Sequence, residues 1–230
     1  MRVVRQTLAL CVVVLLGAPS AVLAQQAINL SLGGFVVKGE DARVDDDVLV
    51  ANRELLSFDI KDFNSGSIGI EGLLPFGEFF EAGVGAAFTT RTVPTVYDDF
   101  VNRDGSEIEQ DLKLRVAPVT ATLRVLPFGR SRAVQPYLGG GVGFFAYRYS
   151  EVGDFVDFTD RSVFREQYVA KGTKAGGVAL AGIRFPVGDR WSLGGEVRYQ
   201  HASVDLSDDF LGSKLDLGGF HYLGTIHVKF

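Results

Sequence analysis

The sequence predicts an all-β chain, an eight-stranded antiparallel up-and-down transmembrane β-barrel, and three observations predict it. Its 230 residues include 28 Gly and 18 Phe against one Cys, one Met and one Trp, a composition that favours strands joined by turns. Apolar residues recur with a period of two through eight segments. The connections between those segments alternate between short and long. With 47% hydrophobic and 22% charged residues the chain can bury an ordinary core, and a net charge of −5 without basic clusters argues against nucleic acid as a partner.

The first residues read as an address. Arg2 and Arg5 precede an apolar stretch over 7–18, and Val22, Leu23 and Ala24 offer a small-residue cleavage site before Gln25. This is the pattern of a secretory signal peptide over 1–24, followed by a barrel domain over 25–230. The apolar run is shorter than the ~20 residues of a spanning helix. Cys11 lies inside the leader, so the exported chain is expected to hold neither a disulfide scaffold, nor a Cys-ligated zinc site, nor a Cys nucleophile.

The eight segments are 28–38, 64–75, 79–91, 111–125, 136–149, 169–185, 191–204 and 217–230. In the third, Phe80, Ala82, Val84, Ala86 and Phe88 alternate with Glu81, Gly83, Gly85, Ala87 and Thr89. In the second, Ile68 and Ile70 alternate with Gly69 and Glu71; in the seventh, Leu193, Val197 and Tyr199 oppose Ser192, Glu196, Arg198 and Gln200. Segments this long exceed the usual globular strand of ~5–6 residues and suit tilted strands crossing a bilayer. The links over 76–78, 127–135 and 186–190 are short or turn-like, and those over 40–62, 93–110, 150–168 and 205–216 are long and polar. Within the long links, the stretches 40–54, 98–109, 151–166 and 205–216 hold 20 of the 28 acidic residues, which predicts a negative, solvated outer face.

Two strands are irregular. In the fourth, the apolar phase of Leu112, Leu114 and Val116 switches to Val119, Ala121, Leu123 and Val125 across Ala117 and Pro118, which reads as a bulge. In the fifth, Tyr137, Phe145, Tyr147 and Tyr149 share one parity and Leu138, Val142 and Phe144 the other, so its lipid face is open. If the apolar parity faces lipid, Glu71, Glu81, Lys113, Arg115, Arg184, Glu196 and Arg198 point inward, with Arg124 joining them if the bulge exists. Eight strands leave an interior that side chains largely fill, so these charges are expected to pair across the lumen or to line a narrow polar path, not a wide pore.

The segments Gln135-Pro136-Tyr137-Leu138-Gly139-Gly140-Gly141-Val142-Gly143, Gly188-Asp189-Arg190-Trp191-Ser192-Leu193 and Gly195-Glu196-Val197-Arg198-Tyr199 resemble those of the small eight-stranded outer-membrane barrels of Gram-negative bacteria, the OmpW, OmpX and OmpA-barrel group. The resemblance covers essentially the whole exported chain and specifies a fold more than an activity. It implies an outer-membrane address, contact with membrane lipids and lipopolysaccharide, and a monomer with a structural or surface-interaction role or passage of small, even hydrophobic, solutes. For hydrophobic passage, Phe88, Phe144 and Phe145 are candidates for an apolar pocket near the outer mouth. Phe220, Tyr222, Ile226, Val228 and Phe230, of one parity in the last segment, resemble the terminal strand by which the assembly machinery recognises its clients.

Other chemistries leave weaker traces. His201 and Ser203 are two residues apart, as in the outer-membrane lipid A deacylases, and a base beside a hydroxyl can support acyl transfer. Val204 stands where that family carries Asn, however, and only Asp216, out of register, is offered in place of its Glu. A secreted lipocalin-like barrel is the third class, with an apolar inside and a polar outside. No cofactor or metal is expected: His221 and His227 are six residues apart on one strand, roughly 20 Å, too far to share an ion. The runs Asp45-Asp46-Asp47 and Asp208-Asp209 lack calcium-loop spacing and read as solvated loops.

Overall fold

The computed structural model describes residues 26–230; the expected leader over 1–24, with Cys11, lies outside them. Eight strands close a barrel in which every neighbouring pair is antiparallel: β1 (Ala27–Val37), β2 (Ser65–Phe76), β3 (Phe80–Val101), β4 (Glu107–Val125), β5 (Gln135–Val156), β6 (Val163–Pro186), β7 (Trp191–His201) and β10 (Gly219–Lys229). Closure is made by β1 against β10, in register from Ala27 opposite Lys229 to Val37 opposite Gly219, so neither strand is left as an open edge. A separate hairpin, β8 (Ser203–Asp205) with β9 (Lys214–Asp216), branches off between β7 and β10.

At one end the chain turns tightly. Gly77, at φ +66°, makes the β2–β3 turn, where a side chain would be strained. At the other end the strands run well past the length the sequence predicts. β3 and β5 each have 22 residues and β6 has 24, and the links between them shrink to 102–106 and 157–162. The expected long loops over 93–110 and 150–168 are therefore mostly strand, and the seventh segment ends at His201 instead of Val204.

The expected bulge at Ala117 and Pro118 is absent. The β3–β4 register crosses it unbroken, Ala86 facing Val119 and Thr89 facing Val116, and Pro118 itself sits opposite Phe145. The shift in that pair lies between Val96 and Val101. What changes at residue 117 is the surroundings. Towards the short-turn end Val119, Ala121, Leu123 and Val125 face outward and Thr120, Thr122 and Arg124 inward. Towards the long end Leu112, Leu114 and Val116 face inward and Asp111, Lys113 and Arg115 outward.

The long end is roofed. Residues 38–64 fold over the barrel mouth around helix α1 (Val48–Arg53), whose N-cap Asp47 accepts a hydrogen bond from the Leu49 amide. Leu49, Leu56 and Phe63 from this segment pack with Leu215 and Leu217 from the β9 region onto Leu112 and Tyr149 of the barrel wall. The main apolar core thus lies in this cap. In β5 the open parity is resolved in the same way, with Tyr137, Phe145 and Tyr149 inward and Leu138, Val142 and Phe144 outward.

Candidate functional site: the barrel interior and the cap

In the short-turn half, alternation drives polar side chains into the lumen, where an ion needs a partner. Arg124 is fully buried between Glu71 and Glu196, pairing with Glu71 and lying 3.0 Å from Glu196. Arg198 closes the group, its guanidinium 3.1 Å from Glu71 and 2.9 Å from Glu196. Two carboxylates and two guanidinium groups thus alternate across the barrel. Thr122 donates to Glu71 at 2.8 Å and Tyr137 to Glu196 at 3.0 Å, while the Tyr137 ring lies under Arg124, 4.8 Å from centroid to guanidinium carbon. Nearer the short turns, Arg184 and Glu81 form a two-bonded pair at 3.1 Å. Glycines make this room: a side chain at Gly83 would strike Glu71, and one at Gly182 would strike the Tyr137 ring. The pair Glu81–Arg184 forms part of the wall of a polar vestibule of about 640 Å³ that opens at the short-turn mouth.

Glu71, Glu81, Arg184, Glu196 and Arg198 are therefore gathered in the lumen, and Arg124 joins them without a bulge. Lys113 and Arg115 do not: both are exposed on the outside of β4. The expectation took their apolar neighbours Leu112, Leu114 and Val116 as lipid-facing, whereas those residues fill the cap core. On the outer surface Arg115 stands directly across from Arg148 of β5, and Arg148 from Lys171 of β6. All three are exposed, in one cross-strand row just beyond the outward apolar residues. Finding this row requires the strand register, which one sequence does not give. Phe88 and Phe144 also face outward, and only Phe145 of the three phenylalanines proposed for an outer pocket is buried.

The residues of the acyl-transfer alternative are organised by a lysine that the sequence did not single out. Lys38 Nζ lies 2.8 Å from Asp216 Oδ2 and 3.2 Å from His201 Nδ1. An ammonium against the imidazole nitrogen occupies the lone pair that would receive a hydroxyl proton. The second oxygen of Asp216 accepts the Gly218 amide at 2.6 Å, and Ser203 lies across from Asp216 on the β8–β9 hairpin. This is a loop-anchoring arrangement, unlike a base poised on a nucleophile.

Asp47 is not a solvated loop residue as expected. It is 1% exposed, receives Arg43 Nε at 2.7 Å and the Asp216 amide at 2.6 Å, and so ties α1 to the hairpin. His221 is buried between Ser67 and Gln200, each at 2.9 Å, and His227 lies further down the same inward face. Among the described residues no group of three or more His, Cys, Asp or Glu is placed to hold a metal ion. In β10, Phe220, Tyr222 and Ile226 face outward and are exposed, Val228 is half-buried on the same side, and Phe230 follows the strand.

The register alone defines a closed eight-stranded antiparallel β-barrel with a charge-filled lumen and an apolar cap. The sequence matches no protein-family model and no curated protein. Among solved structures, the attachment invasion locus protein Ail of Yersinia pestis, in complex with the heparin analogue sucrose octasulfate, aligns over 90% of this chain and 98% of its own, with 15% identity and a TM-score of 0.46. Neisserial surface protein A aligns over 90% and 97%, with 14% identity and a TM-score of 0.46. Outer membrane protein W of E. coli aligns over 90% and 98%, with 14% identity and a TM-score of 0.38.

Proposed function

We propose that this chain is an integral outer-membrane barrel whose lumen is closed and whose long-strand end stands above the bilayer as a surface-presented cap, with a structural or surface-interaction role. The observation that carries this reading is the outward apolar band around the short-turn half. It runs through Leu30 and Leu32 of β1, Ile68 and Ile70 of β2, Val119 and Leu123 of β4, and Val142 and Phe144 of β5. Roughly nine residues per strand separate its edges, as a tilted strand needs to cross the hydrocarbon. Its lower edge carries exposed aromatics, among them Phe76, Phe80, Phe128, Phe185 and Trp191, where amphipathic and aromatic rings favour the membrane interface. A soluble barrel would turn its charges out, whereas here Leu32 and Val142 are each 69% exposed and the ion pairs lie inside.

Closure favours presentation over solute passage. The lumen beside Glu71 holds a void of about 20 Å³, room for roughly one water. The cap core then blocks the long end. At the upper edge of the band, Arg115, Arg148 and Lys171 are like charges directly opposite one another, an arrangement that costs stability unless an anion lies over it. None of the three has a carboxylate within 4.0 Å among the described residues. Phosphate groups of lipopolysaccharide supply that anion at that depth. The outward aromatic face of β10 is the surface offered to the assembly machinery.

The test is gel mobility of the protein in a washed outer-membrane fraction, unboiled and boiled in SDS, followed by planar-bilayer recording. A faster unboiled band and background conductance are expected. Recovery in the soluble periplasmic fraction without a heat shift removes the membrane reading, and a steady conductance removes the closed lumen.

A further inference from the structure

Among the described residues six carboxylates are buried, and five of them have a cationic partner. Glu71 and Glu196 share Arg124 and Arg198, Glu81 has Arg184, Asp47 has Arg43 and Asp216 has Lys38. The sixth, Glu151 in the cap, is 4% exposed and has none among the described residues. One of its oxygens, Oε1, accepts from Asn52 Nδ2 at 2.6 Å and from the Tyr149 hydroxyl at 2.8 Å. Both partners are neutral. A carboxylate taken out of water without a counter-charge costs several kcal/mol in real proteins, so a cation supplied from outside would be strongly favoured there.

Glu151 lines a cleft of about 220 Å³ in the cap, formed where β3, β5, β6, α1 and the 206–213 loop meet. Its walls are largely aromatic: Phe155 packs edge-on to Tyr168 with centroids 5.0 Å apart, and Tyr168 in turn meets Phe210 at 6.4 Å, with Tyr97, Phe158 and Phe164 also in the lining. The other charged residues in the lining are Asp208 and Asp209; it includes no Lys, Arg or His. Ring faces attract a desolvated cation, and a metal aqua ion would gain little from apolar walls. The combination of an unpaired acid, flanking rings and an acidic rim selects charge and greasiness in one ligand.

We propose that this cleft binds a small organic cation, an alkyl- or arylammonium compound, with its charged head against Glu151 and its apolar body among Phe155, Tyr168 and Phe210. The volume admits a ligand of choline size. Because the site is built entirely within the cap, its occupation does not depend on solute passage through the barrel.

The test is calorimetric titration of the refolded exported chain in a non-ionic glucoside detergent, using choline and its uncharged isostere 3,3-dimethylbutan-1-ol. Saturable choline binding is expected, with the isostere at least tenfold weaker. Glu151→Gln keeps the neutral hydrogen-bond partners and is expected to lower choline affinity at least tenfold, while the heat-modifiable gel shift reports an intact barrel. Phe155→Ala is a second variant, expected to weaken choline and the isostere together. Equal affinity for choline and isostere, undiminished choline binding in Glu151→Gln, or no saturable choline binding at all would each overturn the proposal.

Discussion

Along β4 the same backbone alternation carries Leu123 outward and Arg124 inward near one end, and Lys113 outward and Leu112 inward near the other. The two halves of the barrel are inside-out relative to each other. In the short-turn half the exterior is apolar, and the interior must satisfy charges with charges, which it does through Arg124, Arg198 and Arg184. In the cap half the exterior is polar and the interior is an ordinary hydrophobic core around Leu49, Leu112 and Leu215. A strand's alternation therefore fixes which side chains share a face, and the solvent at each height decides which face is buried.

The largest effect is expected from removing the charge that holds the lower half together. Arg124→Met leaves Glu71 and Glu196 sharing one guanidinium in a buried site, and a loss of about 3–5 kcal/mol is expected. Urea unfolding of the detergent-refolded barrel, followed by loss of the fast-migrating band, measures it. A loss under about 1 kcal/mol would mean that the lumen charges are solvated and that the pairing contributes little.

In the upper half the corresponding break is a cavity. Leu215 is fully buried, and Leu215→Ala is expected to cost about 2–5 kcal/mol in the cap alone. Hydrogen exchange should rise in α1 and the β8–β9 hairpin while the heat-modifiable shift persists. If the barrel loosens in parallel, the two halves are one cooperative unit.

A smaller effect separates the halves by pH. Burial raises the Glu151 carboxyl above its ordinary value of 4.5, with the Asn52 and Tyr149 hydrogen bonds opposing. Tyr97, Tyr149, Tyr168, Asp208 and Asp209 are the other titratable groups around it, and none is basic. A raised carboxyl favours the fold while protonated. The penalty for ionising it is absent below the unfolded value and complete once pH exceeds the folded one, so cap stability should fall as pH rises from about 4.5 towards neutrality. Glu151→Gln should flatten that decline and stabilise the ligand-free cap at pH 7, by less than either loss above. Exchange rates in β5 across this range, corrected for intrinsic rates, measure it; an unchanged slope in the variant would assign the decline to other groups.

The smallest effect on folding is expected at the boundary between the halves. Replacing Arg115, Arg148 and Lys171 by Gln should leave folding intact and reduce the lipopolysaccharide retained on purification, at about 1 kcal/mol per charge. Unchanged retention would remove the phosphate reading of the row.

Much of this was legible in the sequence, and the failures share one cause. The period of two gave the eight barrel strands, and the inward parity of Glu71, Glu81, Arg184, Glu196 and Arg198 followed from treating apolar faces as lipid-facing. The same assumption, applied above Ala117, misplaced Lys113 and Arg115 and required a bulge to reconcile Val116 with Val119. The phase change was visible; its origin in a change of environment was not, because a sequence carries no coordinate for height above a membrane. Phe88 and Phe145 share a residue type, but their parities send them to opposite faces. The Lys38, Asp216 and His201 contacts and the isolation of Glu151 arise from residues far apart in the chain, which only the folded loops bring together.

On this reading β4 passes from lipid to water at residue 117. The exported chain is expected to contain no cysteine, so single-Cys variants at 111, 113, 115, 119, 121, 123 and 125 can each carry one nitroxide label without a background. In liposomes, collision with oxygen should dominate at 119–125 and collision with a water-soluble nickel chelate at 111–115, with the crossover between 115 and 119. Nickel accessibility along the whole outward face, or oxygen dominance continuing through 113, would contradict it.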